Sequence, residues 1–255
     1  MNFIADTWFQ VGRHIRTQVR MPVWIMINLI QPIIWLGLFT QVFKSLSQMP
    51  GLGGVSYLQF FAPGVVVMTV MFGSAWSGMG MLQDIDMGIL SKMMATPVTR
   101  VSIILSRVIA SMAVLLIQAL IILTIAVIMG VDIATGAGGV LLTILLVCLL
   151  GLGFASFSNG LALLLRRPEP LIGIINFAAL PMMFLSSTMM PADMLPGWLD
   201  TVRHFNPVDY AVVGVRGLVL EGYIWSDLWR SFVVLVAWAV AGTAFGTLMF
   251  RRRAE

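Results

Sequence analysis

Side chains that commonly perform chemistry are few in this chain, and they do not combine into a catalytic set. A nucleotide-binding P-loop needs a glycine-rich turn followed by a lysine, but the lysines are Lys44 and Lys92, and neither follows a glycine. His14 and His204 fall on opposite sides of the membrane in the topology derived below, which argues against a shared metal site. No serine, histidine and carboxylate lie on one side with suitable spacing for nucleophilic catalysis. The residues predict a chain that does not bind ATP by itself.

The most charged part of the N-terminal half is residues 83–100, which we call the inner segment. Two acids lie near its start, a Thr-Pro pair lies near its end, and its last residue is basic. The residues that define this pattern are Asp84, Asp86, Gly88, Thr96, Pro97 and Arg100. Acids favour a helix N-terminus, and Ile85, Ile89 and Met93 lie along one side, so we expect a short amphipathic helix parallel to the membrane. A plain loop would not require the acids or the apolar side. The pattern therefore predicts a docking surface for another protein.

A second unusual region is residues 191–230, which we call the outer segment. It contains five acids, Asp193, Asp200, Asp209, Glu221 and Asp227, and turn signals at Pro191, Leu195-Pro196-Gly197 and Asn206-Pro207. The apolar stretch from Tyr210 to Leu220 is interrupted by Arg216 and is too short to cross a membrane. We interpret it as a re-entrant or interfacial helix.

The amino-acid composition indicates the class of protein to which these two segments belong. Of 255 residues, 59% are hydrophobic and 10% charged, whereas soluble domains have roughly 25% charged residues. A soluble domain is therefore excluded, as are disorder and a disulfide scaffold, since Cys148 is the single cysteine. Six stretches carry no charged residue, and each is long enough for a transmembrane helix: Met21–Phe43, Ser45–Gln83, Val108–Val131, Ile133–Leu165, Pro170–Ala192 and Ser231–Phe250.

Backbone groups cannot remain unpaired in lipid, and runs this long without alternation favour helices over barrel strands. The fold class is therefore an all-α membrane protein with six transmembrane helices, and residues 1–255 form a single transmembrane domain. The expected spans are about 22–43, 59–82, 103–130, 139–165, 171–190 and 231–250. Residues 1–20 form an additional amphipathic interfacial helix, whose apolar stripe is Ile4, Trp8, Val11, Ile15 and Val19.

The basic residues fix the expected orientation. If the N-terminus is cytoplasmic and six spans alternate, 11 of the 15 lysines and arginines lie inside and 4 outside, as the positive-inside rule requires. Both termini are then cytoplasmic, and we use inner and outer for the faces assigned in this way. The net charge of +4 thus follows membrane topology and does not indicate a nucleic-acid partner. Anionic lipid headgroups would meet the basic face of the N-terminal helix.

The cores of the six spans contain no acidic or basic residue, although ion-coupled carriers usually place ionisable groups there. An ion-driven pump is therefore disfavoured. What remains is a passive membrane body with one conspicuous inner segment.

The inner and outer segments together resemble those of a known protein family. The inner segment, with an acid, Gly88, apolar residues and Thr96-Pro97-Val98-Thr99-Arg100, resembles that of type-2 ABC exporter permeases of the daunorubicin-resistance-like group. The outer stretch from Met190 to Leu199, followed by His204 to Tyr210 and by Arg216, is similar to the same family's sequence before its last span. Asp86, where the family more often has Glu, and Ser91-Lys92, where it often has an acid, depart from the pattern.

The resemblance implies a half-transporter in the plasma membrane, which means a bacterial or archaeal inner membrane. Two copies, or this chain and a paralogue, would pair, and each would contact a separate cytoplasmic ATPase subunit, which would bind ATP and Mg. The implied ATPase-coupling residues are Asp84, Asp86, Gly88, Thr96, Pro97 and Arg100. The implied outer gate comprises Pro196, Gly197, Trp198, Asn206 and Pro207.

The cargo is less determined. Nineteen methionines and fifteen phenylalanines suit an adaptable apolar lining for lipophilic drugs or lipids, and similar family members move glycans. Two other classes stay open: a carrier or channel that works without ATP, and a membrane-embedded enzyme, for which the expected cluster of acids or histidines at one face is missing.

We predict that an impermeant thiol reagent will reach single cysteines placed at Leu52 and Asp193, but not at Ala95, in sealed cells expressing a Cys148→Ala background. The reason is the excess of basic residues on the inner face. The measurement is the labelled fraction at each position. Strong labelling at position 95 would overturn the topology.

Overall fold

The computed structural model describes residues 3–19, 22–43, 54–89 and 100–253. Within these ranges the regular elements are helices, and no strand is present, which confirms the predicted all-α class. In chain order the helices are α1 (Phe3–Val19), α2 (Pro22–Val42), α3 (Tyr57–Ala75), α4 (Ser77–Asp86), α5 (Arg100–Ile128), α6 (Gly136–Leu165), α7 (Pro168–Phe184), α8 (Gly197–Arg203), α9 (Pro207–Leu220) and α10 (Trp225–Arg253), with a short 3₁₀ turn at Ala192–Met194.

Four helical stretches in the described residues are long and apolar enough to cross a membrane: Tyr57–Asp86, Ser106–Ile128, Gly136–Leu165 and Trp225–Arg251. They correspond to the second, third, fourth and sixth predicted spans. The first and fifth predicted spans correspond to α2, of 21 residues, and to α7, of 17 residues, both apolar. The chain is therefore a multi-pass membrane protein.

The centre of the body is the second span, whose most apolar window is 83% buried, against 22% for the last helix α10. Helix α10 packs along α6, where glycines allow the two backbones to approach closely. A Cβ added at Gly242 would lie 2.5 Å from the carbonyl oxygen of Gly153, and one at Gly246 would lie 2.9 Å from that of Ser156. Such close packing of small residues is a common way for membrane helices to associate.

The second span is not one continuous helix, as the sequence suggested, but is broken at Trp76 between α3 and α4. The hydroxyl of Ser158 on α6 enters the break, where it donates to the carbonyl of Ala75 and accepts from the N–H of Gly78 at 3.0 Å. The neighbouring Asn159 donates to the hydroxyl of Ser77 at 3.0 Å. The groups released by the break are thus satisfied by the facing helix, as hydrocarbon surroundings require.

The fifth span also ends earlier than expected, at Phe184 instead of Met190. Residues 185–190 are irregular, and we call them the linker. The predicted outer segment then forms α8 and α9, and α9 begins at Pro207, three residues before the predicted apolar stretch. Pro207 suits this first helical position because it lacks an N–H that would otherwise be unpaired.

Helix α1 confirms the predicted N-terminal helix and packs against α5. Val11 is buried, and the buried side chain of Gln10 accepts a hydrogen bond from Ser106 at 3.0 Å. Trp8 and Phe9 are exposed on the opposite side. The apolar stripe is therefore divided between the protein and the surroundings, and its location at a lipid interface stays a prediction.

Candidate functional site

The predicted coupling acids lie at the end of the second span. Asp84 and Asp86 occupy the last turn of α4, not the first turn of a new helix, and this corrects the interpretation from sequence. The helix stops where Gly88 adopts a φ of +66°, a left-handed conformation that glycine accepts without a Cβ clash. Residues 90–99, including Thr96 and Pro97, lie outside the described residues. Arg100 begins α5.

Asp84 is held by an ion pair with Arg107 of α5. The two side chains are only 14% and 12% exposed, so this pair lies largely inside the protein. A carboxylate at a helix C-terminus is electrostatically unfavourable, and the guanidinium compensates for it. Gly80 makes room for the arginine, because a Cβ there would lie 2.6 Å from its Nη2. The pair therefore ties α4 to α5.

Helix α1 joins the same cluster through His14. Burial lowers the pKa of this imidazole to about 4, and the positive charges of Arg107 and Arg13 act in the same direction. His14 is therefore neutral near pH 7 and adds no charge beside Arg107. Together with the Gln10–Ser106 hydrogen bond, this arrangement connects α1, α4 and α5 into one inner cluster.

Asp86 differs from Asp84 in its surroundings. It is exposed, and it makes no hydrogen bond or ion pair within the part of the chain that the structure describes. The adjacent Met87 is 61% exposed. An unpaired acid beside an exposed apolar side chain is a suitable contact for a partner protein, whereas the carboxylate of Asp84 is already engaged.

On the outer side, Arg216 of α9 reaches the irregular linker. Its guanidinium donates to the carbonyls of Ser187 at 2.8 Å, Thr188 at 3.2 Å and Phe60 at 3.2 Å. It also stacks on the Phe60 ring, 3.7 Å from the centroid. One arginine thus joins α9, the linker and α3, and the two linker carbonyls that it binds lie outside any helix.

Asp209, which is buried, holds the linker from the same helix. It accepts from the N–H of Ser187 at 2.7 Å and from Arg203 at 3.1 Å. Arg203 also donates to Asp200 at 2.7 Å. The buried carboxylate is therefore both hydrogen-bonded and ion-paired, as its low exposure requires.

The predicted gate residues separate into buried and exposed groups. Asn206 is buried and caps α9 by accepting from Val208 N–H at 3.0 Å, and its amide donates to the carbonyls of Met182 at 2.5 Å and Leu185 at 3.0 Å. Pro207 is buried beside it. Pro196, Gly197 and Trp198 lie at the start of α8, where Trp198 is 63% exposed. The structure attaches Asn206 to the last turn of α7 and to the linker and buries Pro207, but it leaves Trp198 on the surface.

Sequence reasoning missed several residues of these clusters. Arg107 was counted only as an inner positive charge, and Arg216 only as an interruption of an apolar stretch. An arginine inside an apolar run is a detectable signal, because such a charge is retained only where it is paired. Ser158 gave no such signal, since serine is common in membrane helices.

Comparison with known proteins agrees with this architecture. The profile of the family described as ABC-2 type transporter matches residues 6–220. The chain is 31% identical over 218 residues to a protein of Cyanophora paradoxa described as the transport permease ycf38, covering 85% of this chain and 74% of that protein. It is 24% identical over 226 residues to the doxorubicin resistance ABC transporter permease protein DrrC of Mycobacterium tuberculosis, covering 89% and 81%. It is 22% identical over 254 residues to the daunorubicin resistance ABC transporter permease protein DrrB1 of Streptomyces coeruleorubidus, covering 97% and 86%.

We predict that Asp84→Asn and Arg107→Gln will each destabilise the purified protein by about 2 to 4 kcal/mol, because each leaves a largely buried charge without its partner. The double variant should lose less than the sum of the two. The measurement is unfolding by denaturing detergent, with exposed Asp193→Asn as the control. Strictly additive losses would show that the pair does not connect α4 to α5.

Proposed function

The chain belongs to the ABC-2 type transporter family, and we propose that the inner cluster, together with Asp86, receives the motion of its ATPase partner. The protein is the membrane permease of an ATP-driven exporter, which works with a cytoplasmic ABC ATPase. The observation that carries the proposal is the contrast at the end of α4. One acid is locked to Arg107, and the next acid, two residues later, is exposed.

This contrast assigns different roles to the two acids. Asp86 and Met87 face outward and are available to the partner. Asp84 cannot dock and remain paired, so its role is to pass a displacement of α4 to α5 through Arg107. Because α1 is bound to α5 by the Gln10–Ser106 hydrogen bond, the three helices would move together.

The break at Trp76 supports a movement of α4. An uninterrupted helix resists bending, whereas a break allows the two halves to change their relative tilt. The hydrogen bonds of Ser158 and Asn159 keep the break paired with α6. Two discrete arrangements of such packed helices are what a transporter that alternates between inner and outer exposure needs.

The proposal includes a division of labour with other chains. ATP and Mg would be bound by the partner ATPase, since neither lysine of this sequence follows a glycine in a P-loop pattern. A second permease copy or a paralogue would complete the path, and lipids would surround α1 and the exposed faces of the spans. Both termini would lie in the cytoplasm of the cell, with the body in its plasma membrane.

The proposed cargo is lipophilic: a drug, a lipid or a glycan carried on a lipid. The spans offer apolar and methionine-rich surfaces and no charged residue in their cores. Two relatives are described as doxorubicin or daunorubicin resistance permeases, and this favours a drug-like cargo. The rival function is a carrier or channel that works without ATP. Movement of solute by the purified chain alone, without an ATPase, would favour the rival.

The outer segment is proposed as the outer gate. Asn206, Asp209 and Arg216 attach α9 to the linker, so α8 and α9 can close over the outer side as one attached unit. Trp198 is exposed on this unit and is free to contact the second copy. A large ring beside a Pro-Gly turn can seal such a contact.

We predict that Trp198→Ala will change ATP-driven efflux or increase basal leak of a fluorescent lipophilic dye, while insertion and ATPase assembly remain normal. The matched control is Trp225→Ala, because Trp225 is also exposed, at 72%, near the outer face. The measurement is dye efflux and leak from vesicles. Equal behaviour of the two variants would make Trp198 an interface anchor and not a gate residue.

We predict that Asp86→Lys will weaken ATPase binding about 2- to 10-fold, since exposed ion pairs contribute roughly 0.2 to 1 kcal/mol and reversal also introduces repulsion. The measurements are the amount of ATPase that copurifies with tagged permease and ATP-driven efflux. Asp193→Lys, an equal change at an exposed outer acid, is the control. Asp84 is left intact because its replacement would disturb the ion pair. Full binding and full transport by Asp86→Lys would refute the docking role.

A further inference from the structure

A cavity of about 90 Å³ lies among α2, α3 and α5, inside the membrane body. Its walls are mostly apolar and aromatic, with Trp35, Met68, Phe72 and Trp76 as the largest side chains. It reaches the surface beside Gln31 and Trp76, which are both exposed. A molecule dissolved in the bilayer therefore has a lateral route into the cavity.

Gln118 of α5 is the notable polar group in the wall. It is only 2% exposed, and its amide forms no hydrogen bond with any residue that the structure describes. The amide atoms are not among the fully enclosed, unpaired polar atoms of the described residues, so they open into the cavity, where a bound polar group could pair with them. Thr69, the other buried polar residue in the wall, already donates to the carbonyl of Val65 at 2.8 Å, so its hydroxyl oxygen is left to accept.

The chemistry of the wall selects the kind of molecule that fits. A charged group is disfavoured, because the described lining contains no ionisable side chain. A pure hydrocarbon would leave the Gln118 amide unpaired. A group that accepts and donates at once, as an amide or a hydroxyl does, would pair with both ends of the glutamine amide.

We propose that this cavity is a binding site for an uncharged, largely apolar molecule that presents one amide or hydroxyl group to Gln118. The aromatic wall would hold the apolar part. The cavity is large enough for the polar end of the ligand and the first part of its hydrocarbon chain. The rest of that chain would leave the cavity past Gln31 and Trp76. This inference concerns a ligand site and does not depend on where the ATPase docks.

The location gives the site a mechanical consequence. Trp76, which lines the cavity, is also the residue at which α3 ends and α4 begins. Gly73 of the same wall packs against Leu115 of α5. A bound molecule therefore touches the break that lies between the central body and the inner cluster.

The test uses the full chain in lipid nanodiscs and a pair of photoreactive probes. One is a palmitoyl-length primary amide with a diazirine near the amide, and the other is the same chain ending in a methyl group. Adducts are located by mass spectrometry. We expect the amide probe to label the wall residues Trp35, Phe72 and Trp76, and Gln118→Leu to reduce this labelling about three- to tenfold through the lost hydrogen bonds. Labelling by the hydrocarbon probe should change less than about twofold.

Two further variants keep the test specific. Thr69→Leu fills part of the cavity and should reduce labelling of the wall by both probes. Thr124→Val is the control, because Thr124 lies on α5 like Gln118 but is exposed, and its hydroxyl donates to the carbonyl of Leu120. The site is refuted if adducts spread equally over exposed residues such as Phe177, or if Gln118→Leu leaves amide labelling unchanged.

The occupant can come from the bilayer or from the transported cargo, and a second arm separates these sources. It repeats the labelling with the assembled transporter, with and without Mg-ATP. Labelling that falls during ATP turnover supports the site and identifies cargo. Labelling that is present and unaffected by turnover supports the site and identifies a resident lipid-like molecule.

Discussion

In hydrocarbon there is no water to satisfy a backbone N–H or C=O group, so each interruption of a membrane helix must be repaired by another part of the protein. The second span is interrupted at Trp76, and the hydroxyl of Ser158 pairs with both sides of the gap. The fifth span ends at Phe184, and side chains of the outer helices pair with the linker that follows. The arrangement of the other helices depends on these repairs.

In the linker, side chains pair with several of the backbone groups that the end of α7 leaves without helical partners. Its carbonyls and those of the preceding turn are taken by Asn206, Ser186, Arg216 and Tyr57, and the N–H of Ser187 by Asp209. Apart from Ser186, which belongs to the linker itself, these partners come from α3 and from α9 with its N-cap residue. The polar contacts therefore determine where α3, α7 and α9 meet, in a way that apolar packing alone would not.

The sequence was sufficient for the four spanning helices found in the described residues, because stretches such as Val108–Val131 and Ile133–Leu165 lack charged residues over a length that can cross a membrane. It was not sufficient for the interruptions, since Trp76 and the residues after Phe184 are as apolar or as neutral as an intact span. The acids illustrate the same limit. Asp84 followed by Asp86 fits the start of a helix as well as the end of one, and the choice is decided by Arg107, a partner 23 residues away that only the fold brings close. Arg216 was visible as an anomaly, but its role requires knowing that the carbonyls of Ser187 and Thr188 are unpaired.

In the proposed mechanism the polar clusters at the two faces would influence each other through apolar packing, because the span cores between them carry no charge. Helix α6 is suited to this, since it packs against α3, α4, α5, α7, α9 and α10. It has 30 residues and no proline, so its hydrogen-bond ladder is uninterrupted over roughly 45 Å. Near one end of α6, Ser158 and Asn159 form hydrogen bonds with the residues around the break between α3 and α4. Nearer the other end, Leu146 packs closely on Gly214 of α9, where an added Cβ would lie 2.9 Å from Cδ1 of Leu146. A tilt of α4 would thus act on a continuous helix whose far part packs on the outer segment, and the close glycine contacts with α10 would restrict the positions that this helix can take. A small displacement at the inner face would therefore be converted into a change of packing at the outer face and would not be absorbed between them.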